Sequence, residues 1–236
     1  RLTTTNDLEL WTDSAGVAAF YHPDLMGKVV YFSLETYGYT RPPDGSGKPG
    51  ATLVTTAGTS AVLTMDRTYA AQRLYRITGE GVRVDSQLLG DSVPLTQDAS
   101  NSPVMGQDTV GTAIYKGKLY WHWGDTNIPR HILGNFGTTC ATSELPSAGG
   151  FDPEEGVYLT YFRQANGEVK RMVNVSGVVW IGSMRTVRDS GGAERLVAHY
   201  TQGGFTVSES GLIVFNDGTQ TFDRLVSMPL NPVVPL

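Results

Sequence analysis

Short runs of alternating apolar and polar residues, cut by Gly, Pro, Asn and Asp, follow one another along nearly the whole chain. VVYFSLET (residues 29–36) is the clearest. Val29, Tyr31, Ser33 and Glu35 fall on one side of a strand, and Val30, Phe32, Leu34 and Thr36 on the other. The second side is strongly apolar, so the pattern predicts a half-buried strand. RLTTT, LELWTD, GVAAFYHP, ATLVTT and SAVLTMDR read as further strands of the same part of the chain. YTRPPDGSGKPG (residues 39–50) is too rich in Pro and Gly for a central strand and reads as a loop. No helical periodicity is sustained, and residues 70–74 would form one turn at most. This rhythm predicts a small antiparallel β-sandwich over residues 1–69.

From residue 71 the pattern repeats. RLYRITGEGVRVDSQLLG (73–90), GVYLTYFRQANGEVKRMV (156–173) and GLIVFNDGTQTFDRLVSM (211–228) each read as strand, polar turn, strand. Between them lie two hairpins of another kind, VGTAIYKGKLYWHWGD (110–125) and SMRTVRDSGGAERLVAHYT (183–201). Their turns, KGK and DSGG, are tight hairpin signals. Two alternating kinds of hairpin suggest the four-stranded blades of a β-propeller over residues 70–236, with a second β-sandwich as the alternative. The expected fold class is therefore all-β: a sandwich followed by propeller blades. The strands suffice for roughly two and a half blades, where a closed propeller needs at least about four. The expectation is an incomplete propeller, completed beyond Leu236 or by another polypeptide, with PLNPVVPL as a linker into a further strand.

Composition narrows the functional classes. A chain of 236 residues with 40% hydrophobic and 17% charged residues is too apolar to be disordered. A net charge of −5 without a basic patch argues against nucleic acid as a partner. No apolar run reaches the length of a membrane-spanning helix. The single Cys140, in TTCATS, excludes an intrachain disulfide and reads as a small buried residue. Neither a phosphate loop nor a Ser/His/Asp nucleophile signature is found. The start at Arg1, without an initiator Met or signal peptide, suggests a processed form or a fragment.

The candidate chemistry gathers in MGQDTVGTAIYKGKLYWHWGDTN (105–127), where Asp108 opens a hairpin and Asp125 closes it. Asp108 is the candidate catalytic residue; the alternative is a carboxylate held by nearby loop N–H groups. Asp125 is expected to cap the following turn with its own backbone, with sugar or cation contact as the alternative. Trp121, Trp123 and Tyr120 share a strand, so one face can meet a ligand while the other is core. The stretch NIPRHILGNFGTTCATSELP reads as a loop long enough to cover a site, and offers Arg130, His131 and Asn135 as substrate contacts. His131 has no second His at ligand spacing, so no metal site is expected. Asp152, Glu154 and Glu155 read as a solvated turn, and Asn174-Val-Ser176 fits a glycosylation acceptor.

Two stretches carry a resemblance. TDSAGVAAFYHPDLMGKVVYFSLETYGY (12–39) resembles the transthyretin-like, carboxypeptidase-regulatory β-sandwich, with its "T-D-x-x-G-x-x-x-F" turn and a strand ending in "G-Y". That resemblance implies a spacer or binding module of a secreted protein. QDTVGTAIYKGKLYWHWGDTN resembles the first blade of five-bladed glycoside hydrolases of the arabinanase and xylosidase type. GQDT stands for the family's "A-D-P", KGK for its "D-G-K" and LYWHW for its "Y-Y-L". The resemblance implies carbohydrate as the partner and Asp108 as general base. The family's second aspartate would come from the next blade, where VVWIGSMRTV carries Gly182; the glutamic acid donor would lie beyond Leu236. GQDTV, WGDTN and LGNF together resemble secreted or cell-surface proteins of environmental bacteria that join the two modules, a group that brings no established activity.

The expected function is thus an extracellular carbohydrate-binding or glycoside-hydrolase-like propeller. The alternatives are a non-catalytic surface or matrix protein built from assembly modules, and a propeller that binds protein. No cofactor is expected beyond a structural calcium ion, and self-assembly or a further segment would complete the propeller.

Overall fold

A computed structural model describes residues 1–71, 77–78, 83–93, 104–135, 137–150, 156–204, 206–228 and 230. Among these the chain is almost wholly β. It divides into two compact units, Arg1–Tyr75 with Arg83–Val93, and Arg76–Val82 with Pro94–Leu236.

The first unit contains β1 (Leu2–Thr4), β2 (Glu9–Leu10), β3 (Val29–Leu34), β4 (Tyr39–Thr40), β5 (Gly50–Val54), β6 (Asp66–Arg67) and α1 (Val84–Leu88). Its main sheet is antiparallel in the order β2-β1-β3-β5, and β4 pairs with β6. The face expected for β3 holds: Val30, Phe32 and Leu34 are buried, because alternate side chains of a strand share one face. The loop between β4 and β5 turns on Asp44, whose carboxylate accepts the backbone N–H groups of Ser46 and Lys48.

Two expectations change here. GVAAFYHP alternates like a strand but makes no ladder. Asp13 captures the segment instead, accepting the N–H groups of Ala15 (2.9 Å) and Val17 (3.1 Å) at Oδ1. Residues 84–88, expected in the second strand of a hairpin, form α1; residues 72–76 and 79–82 of that expected hairpin lie outside the described residues. Ser86 of α1 donates through N and Oγ to Asp13 Oδ2, and Ala19 N donates to Asp85 Oδ2. Side-chain bonds to backbone thus replace strand pairing over this stretch.

The second unit begins with β7 (Gly106–Gln107), β8 (Val110–Tyr115), β9 (Lys118–Trp123), β10 (Thr126–Ile128), β11 (His131–Asn135), β12 (Thr139–Ser143) and β13 (Thr160–Tyr161). It continues with β14 (Val179–Arg188), β15 (Glu194–Gly203), β16 (Val207–Asn216) and β17 (Thr221–Met228). Strands β8, β9, β12 and β13 form one antiparallel sheet in chain order, β14 to β17 a second, and β7, β10 and β11 a smaller third. The stretch expected as a long loop after Asn127 is therefore largely strand. Asn135 of LGNF ends β11, and Phe136 lies outside the described residues, as do residues 151–155 with Asp152, Glu154 and Glu155, and residues 229 and 231–236 of the C-terminal stretch.

Local chemistry sets the hairpins. Lys116 and Gly117 both have positive φ (48° and 75°), the condition for the tight turn that suits strand twist. Asp189 Oδ1 accepts from Gly191 N and Ala193 N between β14 and β15, and Asn216 Oδ1 accepts from Gly218 N and Thr219 N between β16 and β17. Residues 156–173 keep the expected strand–turn–strand shape only loosely, with Arg163 bridged to Val169 across the turn. The main core draws Tyr115 and Cys140 from the first four-stranded sheet and Ile181, Met184, Leu196, Tyr200, Ile213, Phe215 and Phe222 from the second.

Candidate functional site

The end of the β8–β9 hairpin is built from the inside outwards. Trp121 and Trp123 lie on one face of β9, stacked at 5.9 Å and 4°. Trp121 Nε1 donates to Ser143 Oγ (2.9 Å), and Trp123 packs against Tyr161. At 4% and 2% exposure the two indoles are core, so of the two readings open to them, sugar contact and core packing, the burial fits the second. Next to them runs a buried polar chain. Tyr161 OH donates to Gln107 Oε1 (3.1 Å), Gln107 Nε2 donates to Thr139 Oγ1 (2.8 Å), and the hydroxyls of Thr139 and Thr126 are 2.8 Å apart. Buried polar groups carry a desolvation penalty unless paired, and here each finds its partner.

Gln107 and Thr126 adjoin Asp108 and Asp125 in sequence, so this network anchors both carboxylates. Asp108 N donates to Asp125 O (3.2 Å), and Asp125 N donates to Asp108 Oδ1 (3.0 Å). The N–H of Gly124 is shared between the carbonyls of Asp108 and Thr109, an irregularity that bends the chain as a bulge does. Thr109 sits at φ 45°, unusual for a β-branched residue. A Cβ at Gly124 would run into Asp108 Oδ1, so a larger residue there would displace that carboxylate. The two aspartates, expected to do separate work at opposite ends of the hairpin, are joined through their backbones. Asp108 is exposed, and its carboxylate is held in place without being sealed from solvent.

Asp125 does not use its carboxylate to cap its own turn. Its Oδ1 accepts the indole N–H of Trp180 at 3.1 Å, reaching from the bend between β9 and β10 to β14. Trp180 is half-buried, and two residues on, Gly182 forms a bulge against β15. Gly182, the position matched with the family's second aspartate, is exposed, with the ring of His199 as its neighbour. The opposite face of β9 is set by His122, which is buried with no hydrogen-bond partner at Nδ1 among the described residues. Burial lowers its pKa to about 4, so the ring is neutral near pH 7. Gly111 lies across from His122, where a Cβ would meet Nε2. Cys140, its neighbour on β12, is fully enclosed; burial pushes its thiol pKa up and leaves it inert as a nucleophile.

The remaining sequence candidates lie on the β10–β11 hairpin. Arg130 forms an ion pair with Glu168 (Nε to Oε1 2.7 Å), which raises the pKa of Arg130 and lowers that of Glu168. His131 is exposed, with Nδ1 against the carbonyl of Ile132. Asn135 pairs through its backbone with Thr126. Nothing in these contacts brings Arg130, His131 or Asn135 to Asp108. Among the described residues no cluster of three or more His, Cys, Asp or Glu could hold a metal ion.

No family model, curated protein or solved structure matches this chain. The geometry therefore stands alone. Its centre is Asp108, Asp125 and Trp180, flanked by Gln107 and Thr126. Trp180 was legible as an aromatic on the strand matched to the next blade, but its partner lies 55 residues away. Gln107 carried one signal, its place immediately before Asp108.

Proposed function

We propose that the corner formed by Asp108, Asp125 and Trp180 is a carbohydrate-recognition site of an extracellular β-protein. One observation carries this reading: Asp125 links an exposed carboxylate to an indole, its N–H held by Asp108 Oδ1 (3.0 Å) and its own Oδ1 accepting from Trp180 (3.1 Å). A held carboxylate accepts sugar hydroxyls without losing its own freedom on binding, and a held indole presents apolar surface to the C–H face of a sugar ring. Asp108 is the group in position to take a proton from water or a hydroxyl if the site hydrolyses its ligand. The same proposal treats the two four-stranded sheets as propeller blades and the first unit as a transthyretin-like sandwich. Supporting the blades are two antiparallel meanders in chain order and a shared core between them.

The test is retention of the full chain on a panel of immobilised polysaccharides, with sugar release measured alongside. Asp108→Asn and Trp180→Ala should each weaken retention about 10- to 100-fold, the weight of a charge-assisted hydrogen bond or a stacked ring. Retention unchanged in both variants would sink the site. Release lost in Asp108→Asn while retention persists would mark a hydrolase.

A second reading, assembly through the sheet edge, is favoured by β17. Leu225, Val226 and Met228 are exposed along this terminal strand of its sheet, the kind of edge that recruits another chain. Sedimentation of the wild type against Val226→Lys separates the readings: a self-associating wild type dispersed by the lysine favours assembly.

A further inference from the structure

The first unit contains a partly enclosed cleft of about 860 Å³, within the range of ligand sites. Its floor is the buried face of the main sheet, including Leu2, Phe32 and Leu53. Its two walls come from residues 15–20 and 54–63. Small residues leave the space open: Ala15, Ala18 and Ala19 in the first wall, Ala57, Gly58 and Ala61 in the second.

The first wall is pinned along its length and the second at its base. Asp13 and Asp85 pin the first through the N–H groups of Ala15, Val17 and Ala19 and through Ser86 of α1. The second leaves β5 at Thr55, which is buried. Thr55 N donates to Lys28 O (3.0 Å), Gly27 N donates to Thr55 O (2.7 Å), and Thr55 Oγ1 donates to the carbonyl of Leu25. The ring of Phe20 meets Phe32 edge-on at 5.2 Å, tying wall to floor. The floor, the first wall and the base of the second are thus set before binding, which spares their ordering cost.

Most lining residues are apolar, but Thr55, Thr56, Thr59 and Ser60 bring hydroxyls to the second wall, and one residue is charged. Asp91, beyond the C-terminal end of α1, is its single charged side chain. Asp91 is exposed, and its carboxylate has no partner among the described residues, while its N–H is bonded to Ser86 O (2.9 Å). An anion at the rim of a cleft whose floor is Leu2, Phe32 and Leu53 selects for a ligand with an apolar body and a cationic head. We propose that this cleft binds an amphipathic amine: an aliphatic chain or ring system lies over Phe32 and Leu53 between the alanine-lined walls, with its ammonium group at Asp91.

The proposal is independent of the sugar site, which lies in the other unit. It is tested on the full chain with the neutral fluorescent probe N-phenyl-1-naphthylamine, then by displacement with decylamine, decanol and decanoate. The expected result is saturable binding of one probe per chain, with decylamine displacing about tenfold better than decanol and decanoate worst, as one charge-assisted contact would give. Ala18→Trp and Ala57→Leu each fill the space from opposite walls, and should weaken probe and decylamine at least about tenfold while the fold, followed by circular dichroism, is kept. Asp91→Asn should remove the preference for decylamine over decanol and leave decanol unchanged. Non-saturable binding, or binding that survives both filling variants, would place the probe on exposed apolar surface and overturn the cleft. Equal displacement by amine and carboxylate would overturn the assignment of Asp91.

Discussion

In the second unit the space between the two four-stranded sheets is filled by rings. Tyr115, Tyr120, Phe162, Phe215 and Phe222 meet one another at centroid distances of 5.3 to 6.2 Å, mostly edge to face. In the first unit the sheet face carrying Phe32 looks onto alanine and glycine, and a cleft of about 860 Å³ remains. Both units are antiparallel and both follow the same alternation of apolar and polar residues. The difference lies in what covers the sheet. Long strands bring large side chains into register from both sides, so the volume is filled. Segments tied down by Asp13, Asp85 and Thr55 hold their distance by hydrogen bonds, so the volume need not be filled.

The largest expected effect breaks the comparison most directly. Phe222→Ala should cost about 3–5 kcal/mol, because the ring is 1% exposed and its neighbours cannot close the gap. Phe32→Ala should cost about half as much, since that ring already borders open space and its loss adds little new cavity. Amide hydrogen exchange of each unit under increasing urea measures both. Equal losses would mean that the cleft is closed in solution.

A pH titration sharpens the contrast. The folded pKa of His122 is about 4 against an ordinary 6.5, so between these values the unfolded chain binds the proton that the folded chain refuses. Its contribution is fully present above about pH 6.5 and is lost as pH falls towards 4, to a total of about 3 kcal/mol. His122→Phe should flatten this slope in the second unit. A slope unchanged in the variant would assign it to other groups.

Asp13 acts in a different window. Burial raises its pKa, but the hydrogen bonds from Ser86, Val17 and Ala15 outweigh burial and leave it lowered. Its stabilisation is therefore present above the ordinary carboxylate range and lost as pH falls below it. Acid should loosen the second unit through His122 before it releases the first-unit wall through Asp13. Asp13→Ala should cost about 1–3 kcal/mol at neutral pH, since it leaves the buried Ser86 donors unpaired. It should also raise exchange of the Ala15 and Val17 amides above all others. Exchange unchanged at those amides would show that the wall is held by something else.

Much of the β architecture was legible because its causes are local. The faces of β3 follow from period two, and the turns at Lys116–Gly117, Asp189 and Asn216 follow from positive φ and side-chain acceptors within a few residues. Misreadings fell where a local pattern met a distant partner. GVAAFYHP has the alternation of a strand, but its N–H groups answer to Asp13 and, across 66 residues of sequence, to Asp85. The stretch after Asn127 has the Pro and Gly of a loop, yet its backbone finds partners in β10 and β9. Trp121 and Trp123 were recognisable as aromatic residues of one strand. That they are core depended on Ser143 and Tyr161.

For the candidate site the division is the same. The sequence by itself determined the inventory: an Asp at each end of a hairpin, a tight turn between them, and no nucleophile or metal signature. Only the tertiary structure decided that Asp125 N holds Asp108, 17 residues away, and that Asp125 Oδ1 holds Trp180. Residue type and spacing along one strand are fixed by the chain, whereas the direction of a side chain across two sheets depends on how those sheets pack. The cleft of the first unit follows the same logic. Its alanines and glycines were present in the sequence, but a row of small residues lines a space only where distant groups, Asp85 for the first wall and Lys28 and Leu25 for the base of the second, hold the segments that carry it.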